Sequence, residues 1–134
     1  MDSKSERLHG KDKPIENWDE ARAAIQSFVE ERDWEQFHHL KDLIIGLNVE
    51  AGELLEHTLW QESKALDDSM EGGHQKREKV LDEVADVLFF VIRILDKLGA
   101  DPWSTLQGKL SKNALKYPVE RSRGRSDKYT AYED

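Results

Sequence analysis

Two pairs of acids stand out in this chain by type and spacing: Glu50-Ala51-Gly52-Glu53 and Glu83-Val84-Ala85-Asp86. Residues three apart share one face of an α-helix, one turn from each other. Each pair lies inside an apolar-periodic segment, Leu40 to Trp60 and Val80 to Leu98. If those two helices pack side by side, four carboxylates converge. Like charges gathered in this way are costly unless a cation neutralises them. An all-oxygen set suits magnesium, with manganese as the alternative. A lone Glu-x-x-Glu says little in a chain with 28 acidic residues, where a solvated helix face is the plainer reading. These pairs rise above it because they sit on the two most apolar segments, where unpaired acids are costly to bury.

A second constellation is Lys109, Asn113 and Lys116, followed by Tyr117. Positions 109, 113 and 116 share a helix face. Two ammonium groups and an amide there suit phosphate oxygens, although the same face could serve solubility alone. Trp34 and Trp60 are candidates to stack on a flat base. Trp60 continues the stripe of Glu50, Glu53 and His57, while a core role is the commoner fate of a tryptophan. His38, His39 and His57 could serve a metal or a proton, with His57 best placed, one turn beyond Glu53.

These side chains need helices to hold them. Asn17 reads as an N-cap, with Glu20 as its capping-box partner, for a helix to about Arg32. A second helix begins near Glu35, with Phe37, Leu40, Ile44, Leu47, Ala51 and Leu54 as its buried face. Residues 61–76, with Gly72-Gly73, read as a loop. A third helix runs from about Gln75 to Leu98 with a stripe of Val80, Val84, Leu88, Val91, Leu95 and Leu98. Its apolar girth suits a central helix or one buried between subunits. Gly99 closes it, and Asp101-Pro102 opens a fourth helix as N-cap and N1. That helix should turn Trp103, Leu106, Leu110 and Leu115 inward and stop at Tyr117-Pro118. No segment alternates as a strand does. The expectation is an all-α protein, a four-to-five-helix bundle. It comprises a flexible segment 1–16, a helical catalytic domain 17–118 and a basic tail 119–134.

Composition narrows the function. At 134 residues the chain has the size of one domain, with 37% hydrophobic and 36% charged residues. It has no cysteine, so thiolate chemistry is excluded and a reducing cytoplasmic setting is expected. There is no signal-peptide core and no run that could span a membrane. Net charge is −8, yet Thr105 to Thr130 holds seven basic residues against two acidic ones, leaving that segment at +5 and the remainder at −13. An acidic body disfavours a nucleic-acid polymer as partner. It suits a small polyanion held between metal and cations.

With these residues in view, the chain resembles the MazG-like all-α nucleotide pyrophosphohydrolases, in particular the small single-domain dCTP-pyrophosphatase branch. The resemblance rests on Glu50, Glu53, Glu83 and Asp86 in the order Glu-x-x-Glu, spacer, Glu-x-x-Asp. It extends to Arg32-Asp33-Trp34-Glu35-Gln36-Phe37-His38, to Lys109…Asn113…Lys116-Tyr117-Pro118 and to Gly124…Lys128-Tyr129-Thr130. It spans about residues 18–130. The resemblance implies magnesium-dependent hydrolysis of a nucleoside triphosphate, dCTP or a related deoxynucleotide, to monophosphate and diphosphate, in nucleotide-pool sanitation. The four acids would hold the metal, one of them, such as Glu53, orienting or deprotonating the attacking water. Lys109, Asn113, Lys116, Tyr117, Lys128 and Tyr129 would hold the polyphosphate, partly from a neighbouring subunit. Trp34 and Trp60 would contact the base. A homo-oligomer, dimer or tetramer built as a dimer of dimers, is implied as well. Departures from the dCTP-specific pattern cluster around the base: Ile25 stands where a histidine is usual, Phe90 where a tyrosine is, Thr58-Leu59 for Phe-Gln, and Asp42 for an asparagine. The competing expectation is a helical scaffold that has lost catalysis, against which the presence of all four acids argues.

Overall fold

The computed structural model describes residues 13–132. Most of the expected flexible segment 1–16 therefore lies outside the described residues. The elements are α1 (Trp18–Glu30), a 3-10 turn (Glu35–Phe37), α2 (Leu40–Glu56), α3 (Ser63–Gly72), α4 (His74–Lys97), α5 (Pro102–Lys116), the short α6 (Val119–Ser122) and a 3-10 turn (Tyr129–Tyr132). No strand occurs among the described residues, so the all-α expectation holds. The chain forms two compact units, one ending at Leu98 and one beginning at Gly99.

In the first unit α4 packs mainly against α2, with α1 and α3 as lesser neighbours. Capping sets the limits of α1. The Asn17 side chain accepts from the Glu20 amide at 2.9 Å, and Glu20 reaches back to the Glu16 amide at 2.8 Å rather than to Asn17. Close approach of α2 and α4 depends on Gly46, where an added Cβ would meet the Phe90 ring at 2.5 Å. Gly52, between the two acids of α2, faces open space. In the second unit Asp101 caps α5 by accepting from the Ser104 amide at 2.8 Å, with Pro102 in the first turn. Gly99 takes φ +61 behind α4, a conformation that favours glycine.

Several expectations fail in instructive ways. Residues 61–76 are not a loop, because α3 occupies Ser63–Gly72 and packs on α4, with Leu66 and Met70 half-buried. The second helix does not start at Glu35; a 3-10 turn intervenes, and Leu43, not Ile44, is its fully buried residue. The α4 stripe is only half covered, with Val84, Leu88 and Leu98 exposed and Val80, Val91 and Leu95 half-buried, while Ile92 and Arg93 are buried. Trp103, Leu106, Leu110 and Leu115 do not turn inward either; all four are exposed.

Candidate metal centre and base pocket

The two acidic pairs do converge. Ligand oxygens of Glu50, Glu83 and Asp86 lie within 4.8 Å of one another. They come from facing stretches of α2 and α4, the main packed pair of the first unit. Glu53 stands outside this triplet, exposed, but beside Glu50 and Glu83, whose pKa values it raises. Glu50 is pushed up to about 7 from an ordinary 4.5 by burial first, then by Glu53 and the charges of Asp86 and Glu83. Glu83 is raised too, by burial first and then by Glu53 and Asp86, with His57 opposing. His57 Nε2 lies 3.9 Å from Glu83 Oε1, so His57 borders the cluster from the C-cap of α2.

One oxygen on each of Glu50 and Glu83 is buried with no hydrogen-bond partner. Buried acceptors ordinarily find a donor, and a carboxylate left without one is a costly feature of a fold. Oxygen donors without protein partners, held close by like-charged neighbours, fit a hard divalent cation.

Glu50 and Asp86 also line a cavity of about 500 Å³. Its other walls are apolar and aromatic: Ile25 and Phe28 from α1, Trp34, and Ala85, Phe89 and Phe90 from α4. The rings form an edge-to-face chain, with Phe28–Trp34 centroids at 5.7 Å, Phe28–Phe89 at 6.0 Å and Phe89–Phe90 at 5.4 Å. A pocket that joins flat apolar walls to a carboxylate cluster can hold a planar ring at one end and a metal-bound anion at the other.

The sequence pattern of the MazG-like family matches residues 45–131, which includes all four acids. The chain belongs to the MazG-like family. It is 32% identical over 117 residues to a protein named dCTP pyrophosphatase 1 from Rattus norvegicus, spanning 87% of this chain and 68% of the relative. The Homo sapiens protein of the same name is 31% identical over 119 residues, with the same coverage of both chains. A crystal structure of a pyrophosphatase from Archaeoglobus fulgidus superposes with a TM-score of 0.68 at 28% identity, covering 79% of this chain and 96% of the other.

The remaining candidates fall in different settings. Trp34 lines the pocket of this MazG-like chain. Trp60 is not on α2, which ends at Glu56; the chain leaves it through a tightened turn, Thr58 N–H to Leu55 and Leu59 N–H to Glu56. Trp60 then takes φ 60 and is 99% exposed. His38 is no ligand, since its Nδ1 accepts from Arg93 at 3.3 Å. Within the second unit, Lys116 Nζ stands 5.0 Å over the Tyr129 ring. Tyr117 meets Tyr129 and Tyr132 edge-on, each at 6.0 Å. Lys116, Tyr117 and Tyr129 are thus brought together, while Lys109 and Lys128 are exposed and Asn113 is half-buried.

The sequence reading missed Arg93, the one buried polar or charged residue among those described. A visible signal was there: a lone cation within the apolar run Val87 to Leu95. It also missed Phe28 and Phe89 as pocket walls. No helix among the described residues is long and apolar enough to cross a membrane.

Proposed function

We propose that this chain, a MazG-like nucleotide pyrophosphohydrolase, cleaves dCTP or a related deoxynucleoside triphosphate between the α and β phosphates with magnesium, releasing monophosphate and diphosphate. The carrying observation is the triplet of Glu50, Glu83 and Asp86 oxygens within 4.8 Å, two of the three acids holding an unpartnered buried oxygen. Those three acids would hold the cation, with manganese an acceptable substitute. A divalent cation held there supplies Lewis-acid neutralisation of charge on the phosphate oxygens.

The chain's own residues do the rest. Glu53, exposed beside the cluster, orients the attacking water and accepts its proton. Burial first, and then the neighbouring acids, make the negative charge of Glu50 costly before a cation arrives, so a cation held there offsets that cost. Trp34, with Phe28 and Phe89, gives the base a flat wall and excludes water from it. Trp60, free of packing in the single chain, closes over the base. Lys109, Asn113, Lys116, Tyr117, Lys128 and Tyr129 take the polyphosphate oxygens, their ammonium groups offsetting charge that grows on the leaving diphosphate. Removing unusable deoxynucleotides from the pool is the role that fits such a reaction.

The protein acts as a homo-oligomer, either a dimer or a tetramer built from dimers. Val49, Leu55, Leu81, Val84 and Leu88 on α2 and α4 are all more than 40% exposed, while among the described residues only Val29, Leu43, Ile92 and Tyr132 are buried apolar residues. Such a surface calls for a second copy. Sedimentation should give a mass of two or four times the 15.5 kDa chain; a monomer would overturn this. For the activity, each NTP and dNTP is incubated with protein and magnesium, and products are separated. Diphosphate with the matching monophosphate is expected, most from dCTP. Orthophosphate alone, or no turnover of any triphosphate, would sink the assignment.

A further inference from the structure

Arg93 is a charged side chain with only 7% of its surface exposed, and the reaction above makes no use of it. It projects from α4 between α1 and the 3-10 turn. Its Nη1 donates to Gln26 Oε1 of α1 at 2.7 Å. Its Nε donates to His38 Nδ1 at 3.3 Å. Nη2 lies 3.8 Å from Glu35 Oε2, and Nη1 lies 3.8 Å from Asp96 Oδ2 one turn along α4. Asp96 in turn pairs with Arg22 of α1 at 2.8 Å. Gln26 completes the circuit by donating to Glu35 at 2.9 Å.

We propose that Arg93 is a positioning residue for the base pocket: it fixes the turn that carries Trp34. Glu35 and His38 flank that turn on its C-terminal side and both meet the guanidinium. On the N-terminal side Trp34 N–H donates to the Val29 carbonyl at 3.1 Å, after Asp33 at φ 54 reverses the chain. The turn has few apolar anchors of its own, since Trp34 and Phe37 are 42% and 61% exposed. A planar fork that reaches α1, the turn and His38 at once supplies what packing does not. His38 is matched to this role. Burial, then the adjacent Arg93 charge, holds its pKa below the ordinary value, so it stays neutral and accepts through Nδ1. A buried guanidinium is expensive without such partners, which explains why the partners surround it on three elements.

The inference rests on Trp34 as a base contact, and its test separates the two. Protein labelled with 5-fluorotryptophan gives four fluorine resonances, one for each tryptophan; loss of one in Trp34→Phe assigns that of Trp34. In Arg93→Met, which keeps the apolar volume, and in Arg93→Lys, which keeps charge without the fork, the Trp34 resonance should shift or broaden while those of Trp60 and Trp103 stay. KM for the nucleotide should rise about tenfold with kcat within about twofold, as expected when a binding wall loses its support. Inhibition by inorganic tripolyphosphate, which has no base, should change by less than about twofold. In a Trp34→Ala background Arg93→Met should add little. Should Arg93→Met fail to fold, Gln26→Met removes one partner at a half-buried site and should show the same pattern more weakly. An unmoved Trp34 resonance, an equal loss of tripolyphosphate binding, or full additivity with Trp34→Ala overturns the inference. Wild-type protein inert toward every triphosphate defeats the enzyme assignment instead, and the fluorine spectrum still decides the role of Arg93.

Discussion

The acids of α2 and α4 and the bases of α5 and the tail are opposite in how their charges are kept. In the first unit Glu50 and Glu83 are partly buried, each with an oxygen lacking any partner, and both have raised pKa values. In the second unit the cations are exposed or satisfied locally. Lys116 lies over Tyr129, and Arg125 is paired with Asp127 and stacked 4.8 Å over Tyr132. Arg121 donates to the Tyr132 carbonyl at 3.0 Å, closing the tail onto α6. One half therefore carries unrelieved electrostatic cost built into its helix packing. The other carries ordinary surface charge arranged around three tyrosines. A site waiting for a cation should be intolerant of change in its ligands. A set of exposed cations that share an anion should lose affinity by degrees.

Neutralising a ligand is the most severe test of that contrast. Glu50→Gln, Glu83→Gln and Asp86→Asn should each lower kcat/KM by on the order of a hundredfold or more, since even groups that only support a ligand commonly cost ten- to a hundredfold. The double variant Glu50→Gln/Asp86→Asn should be little worse than either single one, because groups acting as a unit are not additive. Product assays under saturating magnesium measure this. A loss under about fivefold at Asp86 would break the comparison from the acid side.

Lys116→Gln and Lys109→Gln test the other half. Each should raise KM about tenfold, the worth of one charge-assisted hydrogen bond to phosphate, and leave the melting temperature within a degree or two. The double variant should multiply the two effects. Steady-state kinetics check this at low salt, where exposed charges act most strongly. If kcat collapses with KM unchanged, the lysines act on the transition state and not as graded anchors.

The two halves also differed in how far the sequence disclosed them. Spacing alone placed Glu50, Glu53, Glu83 and Asp86 on helix faces, because a three-residue step is a property of the helix itself. The caps at Asn17 and Asp101 and the stop at Gly99 were visible for the same reason: they are local chemistry. What stayed hidden depends on partners distant in sequence. Ser63–Gly72 carries a polar composition, and its packing on α4, with Leu66 and Met70 half-buried, is not written in its own pattern. Gly46 had no mark to distinguish it from Gly52; only the Phe90 ring across the interface does so. Arg93 was marked by its apolar neighbours, but the identity of its partners was not. The α4 stripe is apolar as its spacing indicates, yet Val84, Leu88 and Leu98 stay exposed, because a pattern marks residues as apolar without naming what covers them.

Trp60 sharpens the comparison from within the acidic unit. A bulky residue at φ 60 is a backbone outlier, and one that is 99% exposed gains nothing from packing in the single chain. Such strain is tolerated at positions kept for function. Trp60→Gly should therefore stabilise the fold by about 1 kcal/mol through relief of the left-handed conformation, and raise the melting temperature by a few degrees. The same change should raise KM for the nucleotide. Differential scanning calorimetry with steady-state kinetics reads both. A variant that loses stability would mean that Trp60 is packed in the assembly, as a subunit contact and not a free base-stacking wall.

The smallest expected effect is the most direct reading of the electrostatic cost. A carboxyl whose pKa is about 7 when folded and 4.5 when unfolded keeps its proton in the folded state across that window. The folded state then binds more protons than the unfolded one, so stability falls as pH rises from 4.5 through 7. Glu83, raised as well, adds in the same sense. His38, held below its ordinary 6.5, pulls the other way at pH values under 6.5, because there the unfolded state takes up its proton first. Comparison with Glu50→Gln separates the two, since it removes the acid and leaves His38. In EDTA, wild type should melt a few degrees lower at pH 8 than at pH 6, and Glu50→Gln should lose most of that decline and exceed wild type at pH 8. Magnesium should lift wild type most at pH 8, where the ionised cluster binds it, and lift the variant little. A wild-type melting temperature in EDTA that rises between pH 6 and 8 would show that the cluster ionises without cost, and that the contrast with the basic unit is one of sign alone.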